Sequence, residues 1–167
     1  MIKSSFFISN YRNILLRVDR LSRYLLVFTM GFMTVLVITQ VFFRYALSNS
    51  IDWADEVSRL MFVWSMFLAI PHGVRAGAHV GIDVFLNVFS ERIQDAILRT
   101  MMGVSSLLAL TVFYYSIFVI IDKWQEQMPT VDITSAVYYI PVSISMVHCF
   151  FHLFFLAMAG NRAWEVV

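Results

Sequence analysis

The fold of this chain is decided by a stretch that reads QVFFRYALSNSIDWADEVSR from Gln40 to Arg59. An apolar segment ends at Arg44, and after a short polar turn a second segment begins with acidic residues. Asp52 is predicted to be the N-cap, and Asp55 and Glu56 then lie in the first helical turn, where the positive end of the helix dipole favours carboxylates. The stretch therefore predicts a hairpin of two helices.

The composition places the chain in a membrane. Hydrophobic residues make up 60% of its 167 residues, charged residues make up 14%, and the mean hydropathy is +0.75. Soluble domains have about 45–50% apolar and about 25% charged residues. The apolar residues also come in uninterrupted blocks, whereas the surface of a soluble protein requires alternation with polar ones. The sequence therefore predicts an all-α integral membrane protein.

Several classes of chemistry lack their motifs in this sequence. The single cysteine, Cys149, excludes an intrachain disulfide framework and lies in an apolar run. There is no Gly-rich phosphate loop, no Cys/His spacing typical of zinc sites and no basic, aromatic-rich surface for nucleic acid. We therefore expect neither an enzyme nor a nucleic-acid-binding protein, and no cofactor.

Four segments are predicted to span the membrane. The first is uncharged for 20 residues, about 30 Å of helix, which is enough to cross a bilayer. The second has only 15 uncharged residues, Leu60 to Val74, so we begin it at Trp53, an aromatic anchor at the interface. Pro71 is expected to bend its last turn, and Pro141 fits the first turn of the last span. The predicted spans cover residues 24–43, 53–74, 100–121 and 141–159.

Two amphipathic segments, residues 1–23 and 84–98, are predicted to lie in the membrane interface. The first carries five basic residues against one acid, Asp19, and its apolar residues recur at helical spacing: Tyr11, Ile14, Leu15, Val18 and Leu21. A signal peptide is the competing interpretation. We expect the segment to be retained, because the apolar run after it ends without a small-residue cleavage site.

The distribution of Lys and Arg predicts that both termini lie in the cytoplasm, since cytoplasmic flanks carry the excess of basic residues. With the N-terminus inside, the outer flanks hold only Arg44, Arg59 and Lys123. The inner flanks hold the other nine of the 12 basic residues: Lys3, Arg12, Arg17, Arg20, Arg23, Arg75, Arg92, Arg99 and Arg162.

His148 and His152 are the ionisable residues that this topology places inside a span. Spaced four residues apart, they share a helix face and could ligate a metal or a haem. Haem needs axial ligands on facing helices, and the remaining histidines, His72 and His79, are predicted near the cytoplasmic side. We therefore expect neutral histidines that pack between helices, and no metal site.

A second cluster combines Arg44 with Asp55, Glu56 and Arg59 at the outer corner of the hairpin. The spacing of Glu56 and of Asp55 from Arg59 allows pairing on one helix. The cluster could be a proton or ion site, or an ion pair that holds the tops of two helices together. Because coupling sites usually lie near the midplane on broken helices, we favour a structural pair between Arg44 and Glu56.

Short motifs occur in a characteristic order along the chain. They are Phe43-Arg44-Tyr45, Trp53 with Glu56, Phe62-Val-Trp64 with Phe67-Leu68, Arg75 with His79 and Asp83, and a weaker match at Pro129 and Tyr138 to Pro141. By their order and spacing the chain resembles the small membrane subunit of TRAP (tripartite ATP-independent periplasmic) transporters, the DctQ-like family. It departs from the family pattern at Ala69 and Pro71. We assign structural or interface roles to ten residues: Arg44, Tyr45, Trp53, Asp55, Glu56, Arg59, Trp64, Arg75, His79 and Asp83.

The resemblance implies a bacterial inner-membrane protein that acts as scaffold and docking subunit. In this family a large membrane subunit carries the substrate and sodium sites, and a periplasmic binding protein delivers an organic acid anion such as a dicarboxylate or sialic acid. Two other classes remain open. One is a haem- or quinone-binding anchor subunit of a respiratory dehydrogenase. The other is a small exporter, which normally needs a carboxylate within a span; the predicted spans have carboxylates only in the interfacial turns of the second, at Asp55 and Glu56.

Overall fold

A computed structural model describes residues 2–76 and 90–159 of the chain. Four α-helices make up most of this part: α1 (Ile2–Ala46), α2 (Asp52–Arg75), α3 (Glu91–Asp122) and α4 (Ile140–Ala159). Each contains a window long and apolar enough to cross a membrane. The prediction of an all-α membrane protein with four spanning helices is therefore confirmed.

The spanning helices are longer than the sequence predicted. The helix α1 runs without a break through residues 23 and 24, where we expected an interfacial helix to give way to a span. Its 45 residues extend for about 67 Å, more than twice the thickness of a bilayer core. The helix α3 likewise includes the described end of the predicted 84–98 helix, and residues 84–89 lie outside the described part.

The helix α2 begins and ends close to the predicted limits, but its N-terminus differs from the prediction. Ile51 occupies the N-cap position, so the prediction of Asp52 as N-cap is wrong. The Asp52 carboxylate instead accepts a hydrogen bond from the Ser50 hydroxyl at 2.9 Å. Pro71 lies inside the helix, which continues as far as Arg75.

The helices pack mainly in the order α1–α2–α4–α3. The largest buried cluster joins α3 to α4 and consists of Leu98, Met102, Ala109, Cys149, Leu153 and Leu156. Small residues on α3, such as Gly103 and Ala109, could allow close approach of another helix. Ala109 belongs to this cluster, whereas a Cβ atom added at Gly103 would meet nothing within 4 Å. The small residues therefore serve the α3–α4 contact only in part.

Polar side chains lie inside the bundle, and large apolar side chains lie on its outer surface. Ser145 on α4 donates to the Phe67 carbonyl of α2 at 2.6 Å, and the Ser116 and Ser143 hydroxyls of α3 and α4 lie 2.6 Å apart. By contrast, Phe28 is 64% exposed. This distribution suits a lipid environment, where apolar surface gains little from burial and interhelical hydrogen bonds hold the helices together.

The loop between α3 and α4, residues 123–139, is ordered and folds against α2. It contains two short 3₁₀ turns, Lys123–Gln125 and Ser135–Tyr138, and its two halves meet at an isolated antiparallel bridge between Gln127 and Thr134. The Tyr138 hydroxyl donates to the Glu56 carbonyl oxygen at 3.2 Å. The 123–139 loop therefore covers one end of the bundle.

Candidate functional site

The most distinctive group of side chains surrounds Asp19 of α1. Asp19 is 1% exposed, and its Oδ1 atom lies 2.8 Å from the Nε2 atoms of both His148 and His152 on α4. These two nitrogen atoms are 3.1 Å apart. His148 is 6% and His152 0% exposed, so the three polar groups meet inside the bundle.

The other carboxylate oxygen of Asp19 binds a different partner. Arg75, the last residue of α2, donates from Nη1 to Oδ2 at a distance of 2.8 Å. The Arg75 side chain is 30% exposed, against 2% for that of Asp19. The site therefore joins three helices and balances a buried negative charge with a partly solvated positive one.

The position of α1 against α4 and α2 is set by contacts on either side of Asp19. The Tyr11 hydroxyl donates to the Phe151 carbonyl oxygen at 3.0 Å, and the Tyr11 ring stacks on Phe155 with centroids 5.5 Å apart. The Ser22 hydroxyl reaches the Leu68 carbonyl of α2 at 3.4 Å. Because α1 is antiparallel to α4, these contacts place Asp19 opposite the two histidines.

An apolar groove of about 600 Å³ runs beside this site between α1 and α4. Ile14 and Val18 of α1 line one wall, Ile144 and Phe151 of α4 line the other, and Pro71 of α2 contributes to its lining. The groove is lined almost entirely by apolar atoms. It therefore offers no counter-charge to a small anion.

The predicted outer cluster has a different arrangement from the one expected. The Glu56 carboxylate accepts hydrogen bonds from the backbone N–H of Thr130, at 2.8 Å, and from the Thr130 hydroxyl. In residues 2–76 and 90–159, no ion pair involves Arg44, Asp55, Glu56 or Arg59. The expected pair between Arg44 and Glu56 is therefore absent, because Glu56 holds the 123–139 loop instead.

The remaining predicted interface residues are scattered. Trp64 donates from Nε1 to the Val137 carbonyl at 3.1 Å, so it also connects α2 to the 123–139 loop. Tyr45 and Trp53 are exposed, at 80% and 48%. Arg75 belongs to the Asp19 site. The last two residues on that list, His79 and Asp83, lie outside the described residues.

Sequence reasoning missed Asp19, which we counted only as the single acid of a basic interfacial helix. The face that packs into the bundle carries Leu15, Asp19 and Ser22, all buried. Ile14 and Val18, which we placed on the membrane-facing side, are exposed. The available signal was the position of Asp19 four residues after Leu15 and three before Ser22, on one helix face.

These features define an integral membrane protein whose described residues form four long helices, with polar side chains buried between them and an apolar exterior. The chain belongs to the DctQ component of the tripartite ATP-independent periplasmic transporters, whose family model matches residues 33–163. It is a multi-pass protein of the bacterial inner membrane and a small permease subunit. The family does not favour the alternative of a haem- or quinone-binding anchor.

Individual relatives carry the same description. The chain is 32% identical over 111 residues to the C4-dicarboxylate TRAP transporter small permease protein DctQ of Vibrio cholerae, which covers 66% of this chain and 45% of that relative. A protein of Haemophilus influenzae named as a TRAP transporter small permease is 25% identical over 138 residues, which cover 82% of this chain and 83% of that relative. The matched part of the chain thus spans less than half the length of the Vibrio cholerae relative.

Proposed function

We propose that this chain is the scaffold subunit of a sodium-driven TRAP importer for an organic acid anion. It works with a large membrane subunit, which binds substrate and sodium, and with a periplasmic binding protein. The observation that carries the proposal is the family match over residues 33–163, which includes α2, α3 and α4 entirely and the part of α1 from residue 33 onward. Three of the similar proteins bear names that specify C4-dicarboxylates, which makes this class the first substrate to test, ahead of sialic acid.

The arrangement of polar groups supports a scaffold role. An organic dianion needs positive charge or several hydrogen-bond donors in its binding site, and the groove beside Asp19 is apolar. The guanidinium of Arg75 is engaged by Asp19. The wide apolar faces of α1 and α3, which include Phe28, Val35 and Leu107, suit contact with lipid and with the helices of a larger subunit.

Transport by the complete system tests this proposal. Proteoliposomes containing this chain, its large partner subunit and the binding protein should take up radiolabelled succinate when a sodium gradient is applied. Omission of any one component should abolish uptake. Sodium-driven uptake by this chain alone, or full uptake without it, would contradict the proposed role. Uptake of sialic acid in place of succinate would correct the substrate class and leave the role intact.

We further propose that both termini lie in the cytoplasm, because nine of the 12 basic residues lie in the flanks on that side. Single cysteines at Ser90 and Gln127, introduced with Cys149→Ser, report the orientation. An impermeant thiol reagent added to intact spheroplasts should label position 127 and leave position 90 unlabelled. The reverse pattern would invert the proposed topology.

A further inference from the structure

We propose that Asp19, His148 and His152 form a binding site for a divalent transition-metal ion such as zinc. The site would tie α1 to α4 inside the subunit. It is independent of where the transported anion binds, so this inference goes beyond the proposed scaffold role. The carboxylate and imidazole groups are ligands that such ions prefer.

The distances between the three candidate ligand atoms match the face of a coordination polyhedron. Asp19 Oδ1 lies 2.8 Å from each Nε2 atom, and the Nε2 atoms of His148 and His152 lie 3.1 Å apart. Zinc bonds to nitrogen and oxygen are about 2.0–2.2 Å long, so two ligands are about 3 Å apart at right angles and about 3.4 Å apart at the tetrahedral angle. One ion above the triangle of atoms could therefore bond to all three with little movement of the side chains.

Hydrogen bonds account for the same triangle only in a crowded arrangement, in which one carboxylate oxygen accepts from both imidazoles. A neutral imidazole has one N–H donor and one acceptor nitrogen. If both Nε2 atoms donate to Asp19, two N–H groups point into one small space while their nitrogens are 3.1 Å apart. If either Nε2 is the acceptor, its lone pair faces a carboxylate oxygen at 2.8 Å. A cation resolves this conflict, since all three atoms can direct lone pairs at it.

The surroundings have the features of a supported metal site. His148 and His152 are spaced i, i+4 on one helix, the spacing by which helical histidine pairs bind zinc. Arg75 fixes the second carboxylate oxygen, a contact of the type that orients metal-binding carboxylates from outside the ligand set. Because Arg75 is 30% exposed, solvent can screen its charge from the ion. All three ligands are at most 6% exposed, which protects the bonds from water.

Metal binding by the purified full chain tests the proposal. The protein carries an affinity tag without histidine, is stripped with EDTA in detergent and is titrated with Co²⁺, whose visible absorption reports its coordination, and then with Zn²⁺. We expect about one ion per chain, displacement of Co²⁺ by Zn²⁺, and a thermal midpoint that Zn²⁺ raises and EDTA lowers. Arg75→Gln should weaken affinity by about 10–100-fold, as changes to groups that support a ligand do.

The variants Asp19→Asn and His152→Gln should each lose the Co²⁺ spectrum and the response of the thermal midpoint. His72→Gln is the matched control, because His72 lies beside His148, with ring centroids 6.3 Å apart, but outside the ligand triangle. It should bind metal as the unmodified chain does. If a variant fails to fold, the visible Co²⁺ spectrum of the unmodified chain, and its loss on addition of EDTA, still tests the proposal. The assignment would be overturned if the unmodified chain bound no Co²⁺ and Zn²⁺ did not change its thermal midpoint. It would also be overturned if His72→Gln lost Co²⁺ binding to the same extent as Asp19→Asn and His152→Gln.

Discussion

Replacement of Arg75 by Gln should destabilise the helix bundle more than removal of both charges of its pair does. Asp19 is buried at 2% side-chain exposure, whereas Arg75 is 30% exposed. Arg75→Gln therefore leaves a carboxylate inside the bundle without its counter-charge. Asp19→Asn leaves a guanidinium that can turn towards solvent. The double variant, Asp19→Asn with Arg75→Gln, leaves neither charge of the pair in the bundle.

The expected size of the effect follows from this asymmetric burial. Loss of one partner of a buried pair costs about 3–5 kcal/mol, and an exposed pair contributes about 0–1 kcal/mol. Because one partner is fully buried and the other only partly, Arg75→Gln should cost about 2–4 kcal/mol. Asp19→Asn and the double variant should each cost less than Arg75→Gln.

Cys149 provides the assay. It is the only cysteine, it is 3% exposed, and it lies on α4 between the two histidines, so a thiol-reactive fluorogenic dye reacts with it when the site opens. Thermal midpoints of dye reaction are measured in EDTA, which removes any contribution from bound metal. The matched control is Arg99→Gln, because Arg99 pairs with Asp95 at the same 2.8 Å but with both side chains more than 40% exposed.

We expect the order of stability to be unmodified chain and Arg99→Gln, then the double variant, then Arg75→Gln. The reasoning would be refuted by a double variant less stable than Arg75→Gln, which would mean that the carboxylate stabilises the bundle without its arginine. It would also be refuted if Arg75→Gln and Arg99→Gln shifted the midpoint equally, since burial would then make no difference.

Two further predictions concern the 123–139 loop. Glu56→Ala removes both hydrogen bonds from Thr130 and should accelerate limited proteolysis within the loop. Arg44→Ala breaks no ion pair in the described chain and should leave the cleavage rate unchanged. If both variants accelerated cleavage equally, a pair between Arg44 and Glu56 would be the better explanation. Trp64→Phe removes the hydrogen bond to the Val137 carbonyl and should cost about 0.5–1.5 kcal/mol in the thermal midpoint assay, and an unchanged midpoint would count against this contact.

The spanning helices could be predicted from the sequence because lipid imposes a simple requirement. A segment that crosses the bilayer must be apolar for about 20 residues, and residues 2–76 and 90–159 contain four helices that are long and apolar enough. The limits of α4 agree with the prediction to one residue. The length of α1 could not be predicted in this way, because the basic residues before Tyr24 end the apolar run without ending the helix.

The Asp19 site could not be predicted by the same reasoning. Asp19 and His152 are separated by 133 residues, and no local pattern connects them. We also interpreted residues 1–23 only as an interfacial helix with its apolar residues towards the membrane, and considered no partner for its polar side. In a membrane bundle the lipid accepts those residues, so Val18 is left outside and the polar Asp19 turns inward. The interpretation as an interfacial helix therefore gave no reason to look for a partner of Asp19 inside the bundle.

The same reversal explains what specifies the packing of the bundle. Between apolar helices in lipid, van der Waals contact alone distinguishes poorly between neighbours, and interhelical hydrogen bonds supply directional preference. Each contact of α4 has such a bond: Ser143 meets Ser116 of α3, Ser145 meets α2, and the two histidines meet Asp19 of α1. Only the last of these carries a full charge and reaches three helices at once. The Asp19 site therefore fixes the position of α1 relative to α4. Of the three helices that contact α4, α1 has the least other contact with it.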